Sequence, residues 1–410
     1  MTTQARPLEG IRVIDYSHFL AGPYLSRCLA AMGAEVIKIE RPTEGDAGRH
    51  HPYFIEGQSG YFLQQNMGKK GLCVNLKDPR GRDMLEKLVA TADVFVENYR
   101  PGALAKLGLG YEALSALNPG LVYCSVSAYG HTGPESHRAG FGLIAEAKSG
   151  IMAMVGSPGE APPLLRIALG DMYTGIHGVA AINAALLGRV KSGRGQHIDL
   201  SLYDCLVSMH EYAGQCYTLS GGKIVPQQTG HDLPDSTLYG VFTARDGYLV
   251  IAAQVDAAWK RLALLVGGEA FAADTRFHTA AGRNANRLDA LPVVRAWTEV
   301  RTVAECLEAL DTIDVPCAKV QTIEDVVNDP QIQARGMVLR QHHPVLGDIE
   351  LLNTPFRFSG CDTTIREAAP LMGQHNRQIA EELGFGASEI DAMMRDGVLY
   401  QEAAVADLKA

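Results

Sequence analysis

Ile11-Arg-Val-Ile-Asp15 and, further along, Glu35-Val-Ile-Lys-Ile-Glu40 are the two runs of sequence that decide the fold. Both are short and rich in β-branched apolar residues, which is typical of buried strands. Between them, Pro23 to Met32 predicts a helix, with proline in its first turn and Gly33 just after its end. A strand, a helix and a second strand in this order predict a βαβ crossover with parallel strands.

The same alternation continues along the chain. A predicted helix from Pro79 to Ala90 precedes the strand Val94-Phe-Val96, and a short helix near Gly102 to Leu107 precedes the strand Leu121 to Val126. Strands that alternate with helices predict an α/β fold with a mainly parallel sheet covered on both faces. Because such sheets bind ligands at the carboxyl ends of their strands, we expect the loops after these strands to border a site.

A change of pattern indicates a second, smaller domain. Residues Thr218 to Ser236 are rich in glycine, proline and polar groups, and Val241 to Ala252 then predicts a hairpin that turns at Asp246-Gly247. A later helix is predicted to begin with the capping box Thr302-x-x-Glu305. A hairpin followed by helices is typical of an α+β domain.

The composition sets limits on function. A length of 410 residues favours two domains, and 47% hydrophobic and 20% charged residues are ordinary for a globular protein. A formal net charge of -9 argues against broad nucleic-acid binding, which needs a basic surface. Residues Met1 to Pro7 lack the apolar core of a signal peptide, and no apolar run suits a membrane span, so we expect a cytoplasmic protein. The cysteines and histidines show no zinc-like spacing, and no metal site is expected.

Asp171, in the run Arg166-Ile-Ala-Leu-Gly-Asp171, opens a long helical stretch of small residues and is the leading candidate for chemistry. Its plain interpretation is an N-cap, because aspartate accepts hydrogen bonds from the first N–H groups of a helix. The same amides and the positive end of the helix would also hold a nucleophilic carboxylate ionised and oriented. Gly175 and Gly178 recur at helical spacing, which predicts a face that another backbone or a ligand approaches closely.

The sequence lacks the standard motifs of nucleotide-binding proteins, hydrolases and zinc enzymes. It has no G-x-G-x-x-G fingerprint, no P-loop, no G-x-S-x-G elbow and no H-E-x-x-H. Basic residues do cluster near the predicted strand ends. Taken singly, each is interpreted as a solvated surface charge, and together they are interpreted as a phosphate-binding rim. They are Lys38, Arg41, Arg49, Arg100 and Lys106, with Lys69, Lys70 and Lys77 placed in a loop.

Several short motifs run in order through almost the whole chain. They are Asp15-Tyr-Ser-His-Phe-Leu-Ala-Gly-Pro23, Met32-Gly-Ala-Glu-Val-Ile-Lys-Ile-Glu-Arg-Pro42 with Gly45-Asp46, Val96-Glu-Asn-Tyr-Arg-Pro-Gly102, Tyr129-Gly-His-Thr-Gly-Pro134, Gly170-Asp171-x-x-x-Gly175, Gly193-Arg-Gly-Gln196 and Gly373-Gln-His375. In order and spacing, this series resembles the class III CoA-transferases, the carnitine and bile-acid inducible (CaiB/BaiF) group.

The resemblance implies a Rossmann-like large domain, a smaller α+β domain, and a homodimer of two chains interlocked like rings. On that basis we expect a large α/β CoA-binding domain at residues 1–215, completed by 330–410, then a linker at 216–240 and a small domain at 241–325. The active site is expected between the large domain of one subunit and the small domain of its partner.

The resemblance also implies which residues act. By motif position, Asp171 is the catalytic aspartate, and coenzyme A or acyl-CoA binds as a substrate, with no tightly bound cofactor. The residues that fall where the family holds CoA are His18, Leu20, Ala21, Arg41, Val74, Lys77, Asn98, Tyr99, Arg100 and Lys106. His18 is equally well interpreted as a packing residue at the start of a helix.

The chemistry of a carboxylate fits this role. Asp171 would attack an acyl-CoA to give a mixed anhydride and free CoA thiolate, which returns to form an aspartyl-CoA thioester that a second acid attacks. Backbone N–H groups near Gly170 or in the partner's small domain are expected to stabilise the tetrahedral oxyanions. The expected acceptor is a small carboxylic or dicarboxylic acid such as succinate. The formyl/oxalate pair is disfavoured, because Gly230 to Gly240 lacks the glycine run of formyl-CoA:oxalate transferases.

Other functions remain open at the level of sequence. An α-methylacyl-CoA racemase of the same family would use a histidine base where this chain has Phe141, which leaves His137 or His177 as substitutes. Many relatives carry an acidic residue at the position of Gly142, and its loss here is expected to widen or neutralise the acceptor pocket. A non-catalytic CoA-binding module or a nicotinamide-dependent oxidoreductase would share the α/β core, although the missing glycine fingerprint argues against the oxidoreductase.

Overall fold

The computed structural model describes residues 5–233 and 235–407. Residues 1–4 of the N-terminal stretch, Pro234 of the predicted linker and residues 408–410 of the predicted large domain lie outside the described residues. The chain divides into two compact units. Unit 1 comprises residues 1–150, 165–211 and 331–410, and unit 2 comprises residues 151–164 and 212–330. The domain limits given above stay a prediction.

The strands, numbered along the chain, are β1 (Arg12–Tyr16), β2 (Glu35–Glu40), β3 (Phe54–Ile55), β4 (Gln58–Ser59), β5 (Lys69–Cys73), β6 (Val94–Glu97), β7 (Val122–Ser127), β8 (His197–Ser201), β9 (Tyr239–Ala244), β10 (Gly247–Ala252), β11 (Cys317–Lys319), β12 (Val338–His343) and β13 (Gly347–Leu352). The α-helices are α1 (Ala21–Ala31), α2 (Gly60–Asn66), α3 (Pro79–Ala90), α4 (Ala103–Lys106), α5 (Tyr111–Leu117), α6 (Gly142–Lys148), α7 (Leu169–Ser192), α8 (Leu202–Ser208), α9 (Ala213–Leu219), α10 (Asp256–Ala272), α11 (Ala280–Ala285), α12 (Arg287–Glu299), α13 (Val303–Thr312), α14 (Ile323–Asn328), α15 (Pro330–Ala334), α16 (Asn376–Glu382), α17 (Ala387–Arg395) and α18 (Ala403–Asp407).

The main sheet of unit 1 has the strand order β5-β2-β1-β6-β7-β8, and all neighbouring strands are parallel. From β1 the chain proceeds outward through β2 and β5 on one side and through β6, β7 and β8 on the other. The loops after β1 and β6 therefore lie at a topological switch point, where α/β sheets bind ligands. The predicted α/β fold with a parallel central sheet is confirmed.

Apolar residues from both faces of this sheet form the core of unit 1. Ile14 is opposite Ile37 on β2 and Phe95 on β6, and all three side chains are fully buried. Strands buried on both faces contain continuous apolar runs rather than alternating ones. This burial explains why the βαβ unit is visible in the sequence.

The C-terminal segment covers the outer edge of β5. The backbone N–H of Cys73 donates to Asn376 Oδ1 at 2.8 Å, and that of Tyr400 donates to the carbonyl of Cys73 at 3.1 Å. A covered edge offers no free backbone groups for pairing with another chain. The two ends of the sequence thus complete one unit.

Unit 2 has a small antiparallel sheet in the order β11-β10-β9, with helices packed against it. Its core contains both tryptophans of the chain, Trp259 and Trp297. The predicted hairpin is confirmed as β9 and β10, and the capping box of Thr302 and Glu305 forms at the start of α13. These local signals act within a few residues and do not depend on distant packing.

One segment of unit 1 departs from its prediction. Lys69 and Lys70, which were placed in a loop, lie in β5 and pair with β2. The sequence Lys69-Lys-Gly-Leu-Cys73 has low strand propensity, because it begins with two charges and contains glycine. Tertiary pairing rather than local preference makes it a strand.

The glycine face of α7 packs against α1, as the helical spacing predicts. A Cβ atom added to Gly178 would lie 2.1 Å from Leu25 Cδ1, and one added to Gly175 would lie 2.7 Å from Tyr24 Cδ1 and 3.1 Å from the carbonyl oxygen of Ala21. Close approach of the two helices therefore requires glycine at both positions.

We predict that Gly175→Ala lowers the free energy of unfolding by about 1–2 kcal/mol, because overpacking outweighs the gain in helix propensity. Gly188→Ala is the matched control on the same helix, since a Cβ there meets no atom within 4 Å. It should stabilise the protein by about 0.5–1 kcal/mol. Denaturant unfolding followed by circular dichroism measures both. Equal stabilisation by the two substitutions would contradict the close packing of α1 on α7.

Candidate active site

Two loops meet at the switch point of the main sheet, residues 17–20 after β1 and residues 98–100 after β6. The backbone N–H of His18 donates to Asn98 Oδ1 at 2.8 Å, and Asn98 Nδ2 donates to the carbonyl of His18 at 2.7 Å. The ring of Tyr99 lies edge-on to the His18 ring, with centroids 4.8 Å apart. One asparagine thus fixes both loops to each other.

A buried cluster of charges lies beneath the first of these loops. Asp15 at the end of β1 accepts a hydrogen bond from Lys69 Nζ at 2.8 Å, and Lys38 Nζ lies 2.7 Å from Asp46 Oδ2 and 3.8 Å from Asp15 Oδ1. Lys38 also donates to the carbonyl of Ser17. Burial alone would raise the pKa of Asp15, but the charges of Lys38 and Lys69 hold it well below its usual range. The interpretation of Lys38 and Lys69 as solvated surface charges is wrong.

Phe19 takes a backbone conformation that this cluster supports. Its φ is 63°, in the left-handed region that is uncommon for residues other than glycine. Its N–H donates to Asp46 Oδ1 at 2.9 Å, and Asp46 is itself paired with Lys38. The carboxylate of Asp46 therefore stabilises a strained turn at the wall of the site.

A cavity of about 390 Å³ opens at this edge of the sheet. Five of the predicted site residues line it together with Asp171, and its remaining lining is largely apolar. The lining residues are His18, Phe19, Ala21, Asn98, Tyr99, Arg100, Ala103, Val126, Ser127, Ala128, Ala139, Gly140, Phe141, Asp171 and Leu202. An apolar pocket with a few convergent polar groups is the usual form of a small-molecule site.

A smaller cavity of about 170 Å³ adjoins the first, because His18, Phe19 and Tyr99 line both. Arg41 lines this second cavity after the end of β2, and its exposed guanidinium lies 2.9 Å from Glu44. Burial lowers the pKa of His18, so its imidazole is neutral at pH 7. The larger cavity thus carries the side chains of Asp171 and Arg100, and the smaller one carries Arg41 beside the carboxylates of Glu40 and Asp46.

Asp171 lies in the first turn of α7 and does not act as its N-cap. The N-cap is Ala168, which has no side chain to accept a hydrogen bond, so the capping interpretation is wrong. The carboxylate lies against the first residue of α6 instead. A Cβ atom added to Gly142 would lie 2.3 Å from Asp171 Oδ2. The Asp171 carboxylate therefore occupies the space that a side chain at position 142 would fill.

The surroundings of Asp171 destabilise its negative charge. Burial and the nearby carboxylate of Glu146 raise the pKa of Asp171 to about 6. Sequence reasoning anticipated the opposite, an anion stabilised by helix amides. The N–H of Gly170 is not free for such a role or for an oxyanion, because it donates to Glu146 Oε1 at 3.1 Å. The Gly170 amide itself is therefore excluded as an oxyanion donor, whereas neighbouring amides and those of the partner's small domain stay a prediction.

Four predicted CoA-binding residues are not among those that line either cavity. Leu20 is buried and precedes α1, and Val74 is buried just after β5. Lys77 is exposed beyond Val74, and Lys106 is exposed at the end of α4. Their roles stay a prediction.

Sequence reasoning missed the roles of two residues that shape the site, Asp46 and Glu146. Asp46 belongs to one of the quoted motifs, but nothing in that motif shows that it supports Phe19. Glu146, in the unremarkable run Ile144-Ala-Glu-Ala, reaches the Gly170 amide and influences the charge of Asp171 only because α6 packs on α7. Long-range packing of this kind has no periodic signal in a single sequence.

No group of three or more potential metal-ligating side chains occurs within residues 5–233 and 235–407. In the same part of the chain, no helix has the length and apolar character needed to cross a membrane.

Comparison with known proteins decides the family. The sequence model described as CoA-transferase family III matches residues 8–376. This chain belongs to CoA-transferase family III. It is therefore a class III CoA-transferase, and the family resemblance of its motifs is confirmed.

Individual relatives cover nearly the whole chain. The succinate–glutarate CoA-transferase of Agrobacterium fabrum is 36% identical over 390 residues, which are 93% of this chain and 97% of the relative. The succinyl-CoA–D-citramalate CoA-transferase of Chloroflexus aurantiacus is 35% identical over 394 residues, covering 95% and 96% respectively. The crystal structure of a CaiB/BaiF family protein from Brucella suis matches with a TM-score of 0.84 and 36% identity, covering 93% of this chain and all of that one.

The histidines suggested for a racemase do not line the Asp171 cavity. His137 is exposed in the loop before α6, and the His177 ring hydrogen-bonds the carbonyl of Tyr173 in its own helix at 3.0 Å. Phe141, where the family resemblance predicts the base of a racemase, packs edge-on to Phe19 with ring centroids 6.3 Å apart. A hydrocarbon ring cannot accept a proton, so this arrangement favours transferase chemistry.

We predict that Lys69→Met destabilises unit 1 by about 3–5 kcal/mol, because it leaves Asp15 with less compensation in a buried site. Hydrogen exchange of the β1 and β2 amides measures this loss. Tryptophan fluorescence reports unit 2, which holds Trp259 and Trp297. Lys191→Met, at an exposed lysine in α7, is the control and should change stability by about 0.5 kcal/mol or less. Unchanged protection of β1 and β2 in Lys69→Met would contradict the role of the cluster.

Proposed function

We propose that this enzyme moves CoA from an acyl-CoA thioester to a small dicarboxylic acid through covalent intermediates on Asp171. One observation carries the proposal. The Asp171 carboxylate lines the cavity at the switch point, where burial and a second carboxylate make it more basic than an ordinary aspartate. A more basic carboxylate is a better nucleophile, and a partly buried one loses less hydration when it attacks.

The first step of the first half-reaction replaces the carbon–sulfur bond of the thioester by a carbon–oxygen bond, and no proton is transferred. An oxygen of Asp171 attacks the thioester carbonyl carbon, the carbon–sulfur bond breaks, and CoA leaves as the thiolate. The product on the enzyme is a mixed anhydride. The thiolate then attacks the acyl carbon of Asp171, which releases the donor acid as a carboxylate and leaves an aspartyl-CoA thioester.

The second half runs the same steps in reverse with a new acid. The acceptor carboxylate attacks the aspartyl thioester, thiolate is released, and the thiolate attacks the acceptor carbonyl to give the new acyl-CoA and free Asp171. Every nucleophile and leaving group is an anion, so no general base is required. A neutral His18 therefore suits the site, where we propose that it contacts CoA or the acyl group.

CoA is proposed to bind along the carboxyl edge of the sheet as a substrate rather than as a tightly bound cofactor. Asn98, Tyr99 and Ala21 would contact pantetheine in the larger cavity. Arg100 lines the larger cavity and Arg41 the smaller one, where guanidinium groups can bind phosphates bidentately. The remaining proposed contacts are Leu20, Val74, Lys77 and Lys106.

The acid substrates are proposed from the relatives. Those at 35–36% identity are named for succinate, glutarate and D-citramalate, which are dicarboxylic acids. A relative named acetyl-CoA:oxalate CoA-transferase, from Acetobacter aceti, is 33% identical. We propose succinyl-CoA as donor and a dicarboxylate of similar length as acceptor.

We further propose that the enzyme works in the cytoplasm as a homodimer, with the interlocked chains that the family resemblance implies. Apolar residues on the outside of α7 support self-association, since Leu187 is 68% exposed and Val190 is 82% exposed. Apolar side chains on a surface commonly mark an interface when they lie together.

We predict that Asp171→Ala lowers CoA exchange by at least about 10³-fold, because it removes the nucleophile. Wild-type enzyme incubated with succinyl-CoA and no acceptor should carry CoA on the peptide that contains Asp171. Mass spectrometry detects the adduct, and a panel of acids then identifies the acceptor. Asp204→Asn, on the neighbouring helix α8, is the control and should exchange normally. Normal exchange by Asp171→Ala would refute the proposed function.

The rate of the first half-reaction should fall about tenfold between pH 8 and pH 5. Asp171 attacks only when ionised, and its pKa of about 6 leaves roughly a tenth of it ionised at pH 5. Single-turnover release of the donor acid, succinate, from succinyl-CoA measures this half-reaction without titrating an acceptor acid. An aspartate with an ordinary pKa would give a constant rate over this range, and such a result would contradict the proposed environment.

A further inference from the structure

Helix α6 contacts the start of α7 at two points. Its first residue, Gly142, lies against the Asp171 carboxylate, as described above. One turn later, Glu146 is only 2% exposed, and its Oε1 accepts a hydrogen bond from the N–H of Gly170 at 3.1 Å. A buried carboxylate therefore lies directly behind the residue proposed as the nucleophile.

The charge of Glu146 has no counterion in the described part of the chain. Among residues 5–233 and 235–407, no basic side chain forms an ion pair with it. Lys148, the nearest lysine along α6, pairs with Glu135 and lies over the ring of Tyr129. A buried carboxylate without a cation is energetically costly, which makes Glu146 a candidate for a functional role.

We propose that Glu146 is a positioning residue for acyl transfer, which fixes the first turn of α7 through its hydrogen bond from Gly170 and places a second buried carboxylate close to Asp171. This inference rests on the proposed function of Asp171. It assigns to α6 a role in the reaction beyond packing.

Like-charge repulsion acts where the reaction needs it. In the resting enzyme two carboxylates lie close together, which disfavours the charged form of Asp171. When Asp171 attacks, its negative charge moves to the thioester oxygen and then to the sulfur of CoA, farther from Glu146. The repulsion is relieved along this path, so Glu146 raises the energy of the ground state more than that of the transition state.

The hydrogen bond to Gly170 contributes in a second way. This N–H belongs to the start of α7, and an amide at a helix start stabilises nearby anions. Because Glu146 accepts from it, the amide is not available to stabilise Asp171. The raised pKa of Asp171 agrees with both effects.

Other titratable groups face the start of α7 from neighbouring elements. The Asp171 charge, after burial, contributes to raising the pKa of Tyr61 on α2, so that hydroxyl is also close to the carboxylate. The remaining groups are His18 and Arg100 on the cavity wall, Tyr24 on α1 and Cys205 on α8. Glu146 is the group that, with burial, accounts for the shift of Asp171.

Two substitutions separate the charge from the hydrogen bond. Glu146→Gln keeps an oxygen that can accept from Gly170 but removes the charge. Glu146→Asp keeps the charge but shortens the reach to Gly170. Glu86→Gln, at an exposed position of α3, controls for the change in net charge. For each variant, single-turnover release of succinate from succinyl-CoA is measured from pH 4.5 to 8.5, together with the circular dichroism spectrum.

Glu146→Gln should move the acid limb of the pH profile to lower pH and reduce the plateau rate on the order of two- to five-fold, as expected for a less basic nucleophile. Glu146→Asp should keep the acid limb in place and lower the rate. Glu86→Gln should match the wild type. An unchanged acid limb in Glu146→Gln would overturn the inference, and so would a wild-type rate in Glu146→Asp. If Glu146→Gln does not fold, Glu146→Asp alone still decides.

The Asp171→Ala variant separates this inference from the proposed function. If it retains exchange, the proposed function fails, whatever Glu146 does. Suppose instead that Asp171→Ala is inactive. If Glu146→Gln then keeps the wild-type acid limb, or Glu146→Asp keeps the wild-type rate, only the role of Glu146 is refuted.

Discussion

The buried charge of Asp15 is the constraint on which the site depends. A carboxylate at the end of the central strand is stable only because Lys38 and Lys69, from two other strands, compensate it. The same lysines connect to the carbonyl of Ser17 and to Asp46, which supports the turn at Phe19. The loop that carries His18 therefore takes its conformation only when β1, β2 and β5 pair correctly.

Asp15 and Asp171, at the same edge of the sheet, lie in opposite electrostatic environments. Asp15 is surrounded by cations and hydroxyl groups, which lower its pKa and make it chemically inert. Asp171 has a carboxylate as its charged neighbour and a raised pKa. A carboxylate that is stabilised holds structure, and one that is destabilised can react. This contrast, rather than residue type, separates the structural acid from the proposed nucleophile.

The parts of the fold that the sequence predicts are those governed by local rules. The apolar runs of β1 and β2 and the capping box at Thr302 depend on neighbours a few residues away, and all three are observed. Lys69 could not be placed, because its strand is stabilised by pairing with β2 and by the buried charge of Asp15. Its own sequence argues against a strand.

The candidate site shows the same division. His18, Asn98 and Asp171 belong to motifs, and the structure brings them to one cavity. Glu146 belongs to no motif, and only the packing of α6 on α7 places it beside Asp171. The interpretation of Asp171 as a helix cap failed for the same reason. An aspartate before a helix is normally a cap, but here the helix begins earlier and its first amides bond elsewhere.

The proposed reaction through an anhydride and a thioester also requires protection from water. No proton transfer is needed at any step, so the protein need not supply a base, but a water molecule beside the acyl-enzyme would hydrolyse it. The largely apolar lining of the cavity and the edge-on pair of Phe19 and Phe141 limit the polar groups that could hold such a water. Phe141 is also the residue that the family resemblance matches to the base of a racemase. Replacing a proton acceptor by hydrocarbon suits a site that transfers acyl groups between anions.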